Sequence, residues 1–214
     1  MTKEDRLSRL GPLSGVLFVA LQLGGVAIGS QPMATLGDPS SKILDTIATH
    51  PGTAAWVGAY MEVGSLAAFA VFAAWLFQSR RGPLATAGLL AAGVYVAISL
   101  AGLVVGDVIK YGAGHGMGDH ELLALFYLQS GLFFASWGIA AAFLALVPLT
   151  GWLRRSAVVI AGLLLVAMAA PTADPAQFPN MLFLIWSVVA GISLARRPHT
   201  VATPAPAVQA AVRP

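Results

Sequence analysis

The feature that most constrains this sequence is a series of six long apolar runs separated by short polar segments. The runs cover residues 11–30, 53–77, 83–106, 121–149, 156–170 and 179–195. An α-helix rises about 1.5 Å per residue, so about 20 apolar residues cross the roughly 30 Å of hydrocarbon in a bilayer. The fifth run is marginal in length, and Trp152 can extend it into the interface. The pattern predicts an all-α bundle of six transmembrane helices.

Composition supports lipid as the solvent for much of the chain. Only 10% of the 214 residues are charged and 57% are hydrophobic, whereas soluble domains carry roughly 25% charged residues. The chain has no cysteine, which excludes disulfides, iron–sulfur clusters and cysteine nucleophiles.

The segments that flank and join the runs have distinct patterns. Residues 1–10 form a basic head. The first run ends in the small-x-small triplet Ala27-Ile28-Gly29, as signal peptides do, but it is longer than a usual signal-peptide core, which favours a span. Pro39 marks a helix start, and the apolar spacing up to Thr49 predicts a short amphipathic surface helix in the first outer loop. Residues 198–214, rich in Pro, Ala and Val, are predicted to form a disordered tail.

The basic residues predict the orientation. Ten of the twelve fall on one side of the predicted bundle, in the basic head, the loops after the second and fourth runs, and the C-terminal segment; Lys42 and Lys110 fall on the other side. Because cytoplasmic loops of membrane proteins are enriched in Lys and Arg, this split places both termini in the cytoplasm of a bacterial plasma membrane.

One acidic residue lies inside an apolar run. Glu62 has small residues on its own helical face, among them Gly58 and Ser65, so this face is predicted to meet another helix. Counted from the outer end of its own run, Glu62 lies about 12 Å inside the membrane. One polar side chain in each of three other runs lies at about the same depth. This polar layer comprises Glu62, Gln22, Ser99 and Gln129, with Trp186 and Ser187 near the same level.

Two interpretations of this layer stay open. In the first, Glu62 is the titrating group of a polar pocket that opens outward. In the second, a protonated Glu62 is held by Gln22 or Gln129, and the layer only fixes helix register at about 1 kcal/mol per hydrogen bond.

A second cluster lies on the predicted outer loops. His115, Asp119, His120, Asp107 and His50 could supply ligands to a divalent metal. None of the usual zinc spacings is present, and Asp119 and Glu121 fit the N-cap and first-turn acid of the fourth span. The sequence predicts no cofactor, with this metal site as the alternative.

Other function classes lack their residues. The spans hold no histidine for haem, no central lysine for retinal and no row of arginines for voltage sensing. The loop from Gly112 to Asp119 lacks the Lys-Ser or Lys-Thr of a phosphate-binding loop. No Gly-x-Ser-x-Gly sequence indicates a hydrolase. The dispersed basic residues argue against nucleic acid as a partner.

Small residues recur at a spacing of four within the spans, as in Gly25-x-x-x-Gly29, Gly102-x-x-x-Gly106 and Gly131-x-x-x-Ala135. They allow close helix approach, either within the bundle, which we favour, or against another membrane protein or a second copy. The other expected partner is the lipid bilayer.

Several stretches resemble a known group of proteins. They are Leu10-Gly-Pro-Leu-Ser-Gly-Val-Leu-Phe-Val, Pro39-Ser-Ser-Lys-Ile-Leu, Ala48-Thr-His-Pro-Gly-Thr and Val57-Gly-Ala-Tyr-Met-Glu. The chain resembles a family of six-helix integral membrane proteins of unknown function that is common in actinobacteria. The resemblance covers about the first 80 residues, implies the six-helix membrane fold and assigns no activity to any residue.

These observations predict a non-enzymatic membrane subunit or sensor with a polar layer around Glu62. Two alternatives remain, a proton-coupled carrier or small-molecule binder that uses Glu62, and a metal-dependent membrane enzyme that uses the outer His/Asp cluster.

Overall fold

The protein is all-α, as predicted. A computed structural model describes residues 3–29, 34–48, 53–78, 80, 82–169 and 178–196, with the backbone alone for residues 3–9, 29 and 53–55. These residues form seven helices: α1 (Lys3–Gly29), α2 (Ser40–Ala48), α3 (Thr53–Phe77), α4 (Pro83–Gly114), α5 (Asp119–Leu146), α6 (Gly151–Ala169) and α7 (Phe178–Ala195). Six of them, all except α2, are long and apolar enough to cross a membrane.

The helices differ from the predicted runs mainly at their ends. Helix α1 already begins at Lys3, so most of the basic head is helical. Helix α4 continues past Gly106 to Gly114, so Asp107 and Lys110 lie on a helix and not in a loop. The first helical residue of α6 is Gly151, which places Trp152 inside the fifth span. The predicted tail lies outside the described residues.

The six long helices form a closed ring. Each packs on the next long helix in sequence, most extensively α1 on α3 and α4 on α5, and α7 returns to pack on α1. Consecutive helices run in opposite directions, so the bundle has two ends. We call one the basic end, where Arg80, Arg154 and Arg196 lie, and the other the α2 end; the halves of the bundle take the same names.

The α1–α3 pair shows why small residues are needed in this ring. A Cβ added to Gly11 would clash with the Trp75 ring, and one added to Gly25 would lie 2.9 Å from both Glu62 Cγ and the Gly58 carbonyl oxygen. Gly25 therefore serves packing within the bundle. Gly106 does the same between α4 and α5, whereas a Cβ on Gly131 would meet open space.

The basic half is filled by aromatic rings. Phe69 of α3 is fully buried and lies 4.8–6.0 Å, centroid to centroid, from rings of α1, α4, α5 and α7: Phe18, Tyr95, Phe143 and Phe183. Tilted and edge-to-face pairs at these distances are favourable beyond the area that they bury. Five of the six spans thus meet at one residue.

Two side chains close the basic end. Arg154 donates a hydrogen bond from Nη1 to the Leu144 carbonyl oxygen at 3.1 Å, which satisfies one of the free carbonyls in the last turn of α5. The Trp186 indole N–H donates to the Leu153 carbonyl oxygen at 3.2 Å, in the first turn of α6. Trp186 therefore lies in the basic half, and its predicted place near the level of Glu62 is wrong. Helix α7 has only 18 residues, so its outer end starts deeper than those of the longer helices.

Helix α2 covers part of the α2 end, as the amphipathic pattern predicted. Its Ile43 is fully buried, and the helix contacts α4 and α5. Asp38 precedes it and accepts hydrogen bonds from the Lys42 ammonium at 2.6 Å and the Thr35 N–H at 2.7 Å. These two interactions, the Lys42 bond first, hold the pKa of Asp38 below its ordinary value.

Candidate functional site

Glu62 lies on α3 where that helix packs against α1. Its Cγ occupies the space that Gly25 leaves open, so the side chain sits in a helix interface, and the residue as a whole is half-buried. Because Cα–Cβ bonds tilt toward the N-terminus of a helix and α3 begins at the α2 end, the carboxyl group leans toward the α2 end.

The Gln22 side chain joins this interface from α1. Its Oε1 lies 2.7 Å from the Ser65 hydroxyl, which also lies 2.6 Å from the Glu62 backbone carbonyl oxygen. A hydroxyl carries one proton, so Ser65 shares it between the two acceptors. Among the described residues, the Glu62 carboxyl makes no hydrogen bond with either glutamine; Ser65 is the residue that bonds to Gln22.

Charged residues of α4 complete the surroundings of Glu62. Lys110 pairs with Asp107 one turn earlier, with Nζ 3.3 Å from Oδ1. Both charges also act electrostatically on the Glu62 carboxyl, Lys110 by attraction and Asp107 by repulsion. Helix α4 begins at the basic end, so the Lys110 side chain leans down toward the level of Glu62. One cation thus lies within range of two carboxylates on two helices; we call these three residues the charged set.

The remaining two residues of the predicted layer lie on α4 and α5. Gln129 packs against Gly106, where its Nε2 fills the space that a Cβ would need. Ser99 hydrogen-bonds the Tyr95 phenol one turn away on α4. Gln129 therefore lies in the α4–α5 interface, whereas Ser99 connects to the aromatic rings of the basic half.

This level of the bundle is only partly closed. None of residues 96–105 of α4 and none of residues 123–135 of α5 is buried, although both helices contribute buried residues on either side of these segments. Glu62, Gln22, Ser99 and Gln129 are all half-buried. The polar side chains therefore sit where two neighbouring helices are least enclosed by protein.

The candidate metal ligands do not gather. Among the residues that the structure describes, no three His, Asp or Glu side chains lie close enough to hold a metal ion, and His50 lies outside those residues. His115 stacks on Tyr111 with ring centroids 3.9 Å apart, and its Nδ1 lies 2.8 Å from the Tyr111 carbonyl oxygen. His120 and Asp119 are exposed on the first turn of α5.

The start of α5 differs in detail from the prediction. Gly118, not Asp119, is the N-cap residue. Its N–H donates to Glu121 Oε2 at 2.9 Å, and the Glu121 N–H donates back to the Gly118 carbonyl oxygen at 3.0 Å. Asp119 becomes the first helical residue, where its charge still favours the helix dipole. Both acids therefore have a structural role at this helix start.

Two clefts lie elsewhere on the molecule, and Glu62 lines neither. One, of about 460 Å³, lies between α2 and the ends of α4 and α5, with Asp45, Asp119 and Met117 in its wall. The other, of about 490 Å³, is an apolar groove between α1 and α3.

Sequence reasoning missed Lys110 as a neighbour of Glu62. The pair Asp107 and Lys110 resembles the polar end of a span, so the apolar pattern predicts that the third span ends at Gly106. The available signal was their spacing of three residues, which places an acid and a base on one helical face and allows the helix to continue.

Comparison with known proteins adds no further assignment. The chain matches no protein-family model, no curated protein and no solved structure.

Proposed function

We propose that this protein is a multi-pass protein of the bacterial plasma membrane, with both termini in the cytoplasm, and that it acts without catalysis as a membrane subunit or sensor. The orientation rests on the ten basic residues placed toward the basic end by the sequence. Membership of the actinobacterial six-helix family is part of the same proposal.

The observation that carries the proposal is the charged set Glu62, Asp107 and Lys110. It places charges of α3 and α4 within electrostatic range of one another in the half-closed α2 half. A cation within range of two acids can change its preferred partner at small cost, because the acid left without the cation is only half-buried in either arrangement. Such a set can transmit a change at the outer surface into the relative position of two helices.

The aromatic rings favour a subunit or sensor over a carrier. Phe69 and the four rings around it come from five spans and are all buried. A carrier that used Glu62 would have to separate these rings to open a route to the basic end, whereas a subunit or sensor would leave them packed.

A second candidate is an outward-facing small-molecule binder or proton-coupled carrier. The half-buried state of Glu62, Gln22 and Gln129 favours it, because these groups keep contact with the surroundings. For a metal-dependent enzyme, the described residues offer no gathered ligand set.

The two candidates are separated by proton flux. The purified protein is reconstituted into liposomes that contain a pH-sensitive dye, and an acid pulse is applied outside. We expect wild type and Glu62→Gln to show the same slow leak. A flux that is present in wild type and absent in Glu62→Gln would replace the subunit or sensor proposal with the carrier.

The coupling of α3 to α4 is tested by distance measurement. Because the chain has no cysteine, spin labels can be placed at Tyr60→Cys on α3 and Val104→Cys on α4, both of which replace exposed side chains. We expect one narrow distance population in wild type and a shifted or broadened one in Lys110→Met. Asp119→Asn, at an exposed position outside the charged set, is the control and should leave the distance unchanged. An unchanged distance in Lys110→Met would contradict the proposal.

A further inference from the structure

An apolar groove runs along the outside of the bundle between α1 and α3. Its volume is about 490 Å³. The residues that line it are Leu10, Leu13, Ser14, Leu17, Gly64, Ala67, Ala68 and Val71. Each helix contributes positions spaced at i, i+3, i+4 and i+7, which form one continuous stripe on a helix surface.

The shape of the groove follows from unequal side chains. Three leucines of α1, Leu10, Leu13 and Leu17, stand along one side and are 43–58% exposed. The opposite wall on α3 is made mostly of Gly64, Ala67 and Ala68, which leave a shallow floor. Seven residues of helix give a length of about 11 Å, which fits within one half of the roughly 30 Å hydrocarbon core.

The groove points toward the basic end. Gly11 packs on Trp75 and Gly15 on Phe72, so residues of α1 and α3 that face each other have numbers that sum to about 86. In this antiparallel register the backbone of Arg6 lies about one turn beyond the level of Phe77, where α3 ends, and Arg80 follows Phe77 by three residues. Arg6 lies four residues before Leu10, or about 6 Å beyond the end of the groove. Trp75 lies at the same end, and tryptophan is typical of the membrane interface.

We propose that this groove binds an anionic phospholipid of the leaflet at the basic end. One acyl chain lies along the small-residue floor, and the phosphate lies at the level of Arg80 and Arg6. Basic residues beside an apolar cleft at a cytoplasmic membrane surface recognise anionic head groups in this way, with attraction from each cation.

Charge also argues against a second copy of the chain as the occupant. A twofold dimer in a membrane places the basic ends of both copies on the same side. Contact through this groove would then bring two sets of arginines together, which is unfavourable near low-dielectric lipid. An anionic head group neutralises the same arginines.

The test is native mass spectrometry of the full chain, purified in detergent and exposed to equal amounts of phosphatidylglycerol and phosphatidylcholine. We expect wild type to retain one phosphatidylglycerol per chain, favoured about fivefold or more over phosphatidylcholine, as attraction to a single arginine would give. Arg80→Gln should lower this preference about fivefold and leave total lipid retention similar.

Filling the groove should remove the bound lipid. Ala67→Leu places a bulky side chain on the exposed floor without entering the core, and we expect the retained lipid to fall at least about fivefold, the change that a free energy of about 1 kcal/mol gives. Ala97→Leu makes the same change at an exposed position of α4 and should retain lipid as wild type does. Leu17→Ala lowers the wall of the groove and should weaken retention without adding bulk.

Three results would overturn the proposal. They are equal retention of the two lipids by wild type, unchanged retention in both Ala67→Leu and Leu17→Ala, and a dimer in wild type that Ala67→Leu converts to monomers. The last result would assign the groove to a second copy.

Discussion

The two halves of the bundle are built on different principles. In the basic half, buried rings of five helices meet around Phe69, and side-chain hydrogen bonds satisfy carbonyl groups in the last turn of α5 and the first turn of α6. In the α2 half, the same helices carry Glu62, Gln22, Gln129 and Lys110, and long segments of α4 and α5 have no buried residue. Within lipid, helix association depends on close packing more than on hydrophobic burial. The basic half therefore holds the bundle together, whereas the helices of the α2 half are free to change their relative positions.

The largest expected effect tests the basic half. Phe69→Ala removes the ring that all four neighbouring rings contact, and we expect the free energy of unfolding to fall by about 3 kcal/mol. Phe133→Ala removes a ring that is 42% exposed and should cost less than about 1 kcal/mol. Reversible unfolding in mixed micelles measures both. Equal losses in the two variants would show that packing around Phe69 is not the main source of stability.

A smaller effect is expected at the charged set. Glu62→Gln and Lys110→Met, made singly and together, form a double-mutant cycle. Because both residues are partly exposed, we expect a coupling energy of about 0.5–1 kcal/mol in the same unfolding measurement. The matched cycle of Asp119→Asn with Lys110→Met should give a value close to zero. A Glu62–Lys110 coupling no larger than that control would mean that the two residues do not interact.

The hydrogen bond between Ser65 and Gln22 should contribute less to the free energy of unfolding than the charged set does. Ser65→Ala is expected to lower the free energy of unfolding by about 0.6 kcal/mol, the average for hydrogen bonds between membrane helices. Ser136→Ala is the comparison, because the Ser136 hydroxyl bonds to the Phe133 carbonyl of its own helix. If Ser136→Ala costs as much as Ser65→Ala, the bond between α1 and α3 contributes nothing specific.

The smallest effect is local and depends on pH. Since the pKa of Asp38 is lowered in the folded protein, its ionised form stabilises the start of α2 above the unfolded pKa of about 3.9. This contribution is lost as the pH falls through the lower, folded pKa. A fluorophore on Ser41→Cys should report release of α2 on acidification. In Lys42→Met the release should begin at higher pH, and the same onset with and without Lys42 would contradict the role of that ion pair.

The sequence was sufficient for the spans and for the surface helix. Apolar runs of membrane length and the amphipathic spacing around Ile43 are local patterns, and each element depends on its own residues. Because helical rise is nearly constant, the sequence also predicts a common depth for Glu62, Gln22 and Gln129, and that depth stays a prediction.

Contacts between helices, and the depth of one helix relative to another, could not be predicted from the sequence. Counting residues from the ends of the spans assumes helices of similar length, and α7 is 14 residues shorter than α4. That assumption misplaced Trp186. The spacing of Asp107 and Lys110 allows α4 to continue past Gly106, but no local pattern reports how α4 packs against α5 and α2. The partnership of Ser65 with Gln22 depends on the register of α1 against α3, which the Gly25 contact sets.

The closed ring has a consequence for how the chain can assemble. Each long helix after α1 packs on the long helix made just before it, so most contacts between neighbouring helices can form while the chain is still being synthesised. Such local contacts shorten the search for the native arrangement. The exception is the contact between α1 and α7, which joins the first and last spans and can form only after the whole chain is inserted. Formation of the α1–α7 contact is therefore the step that distinguishes a complete bundle from a chain whose last span has not yet been inserted.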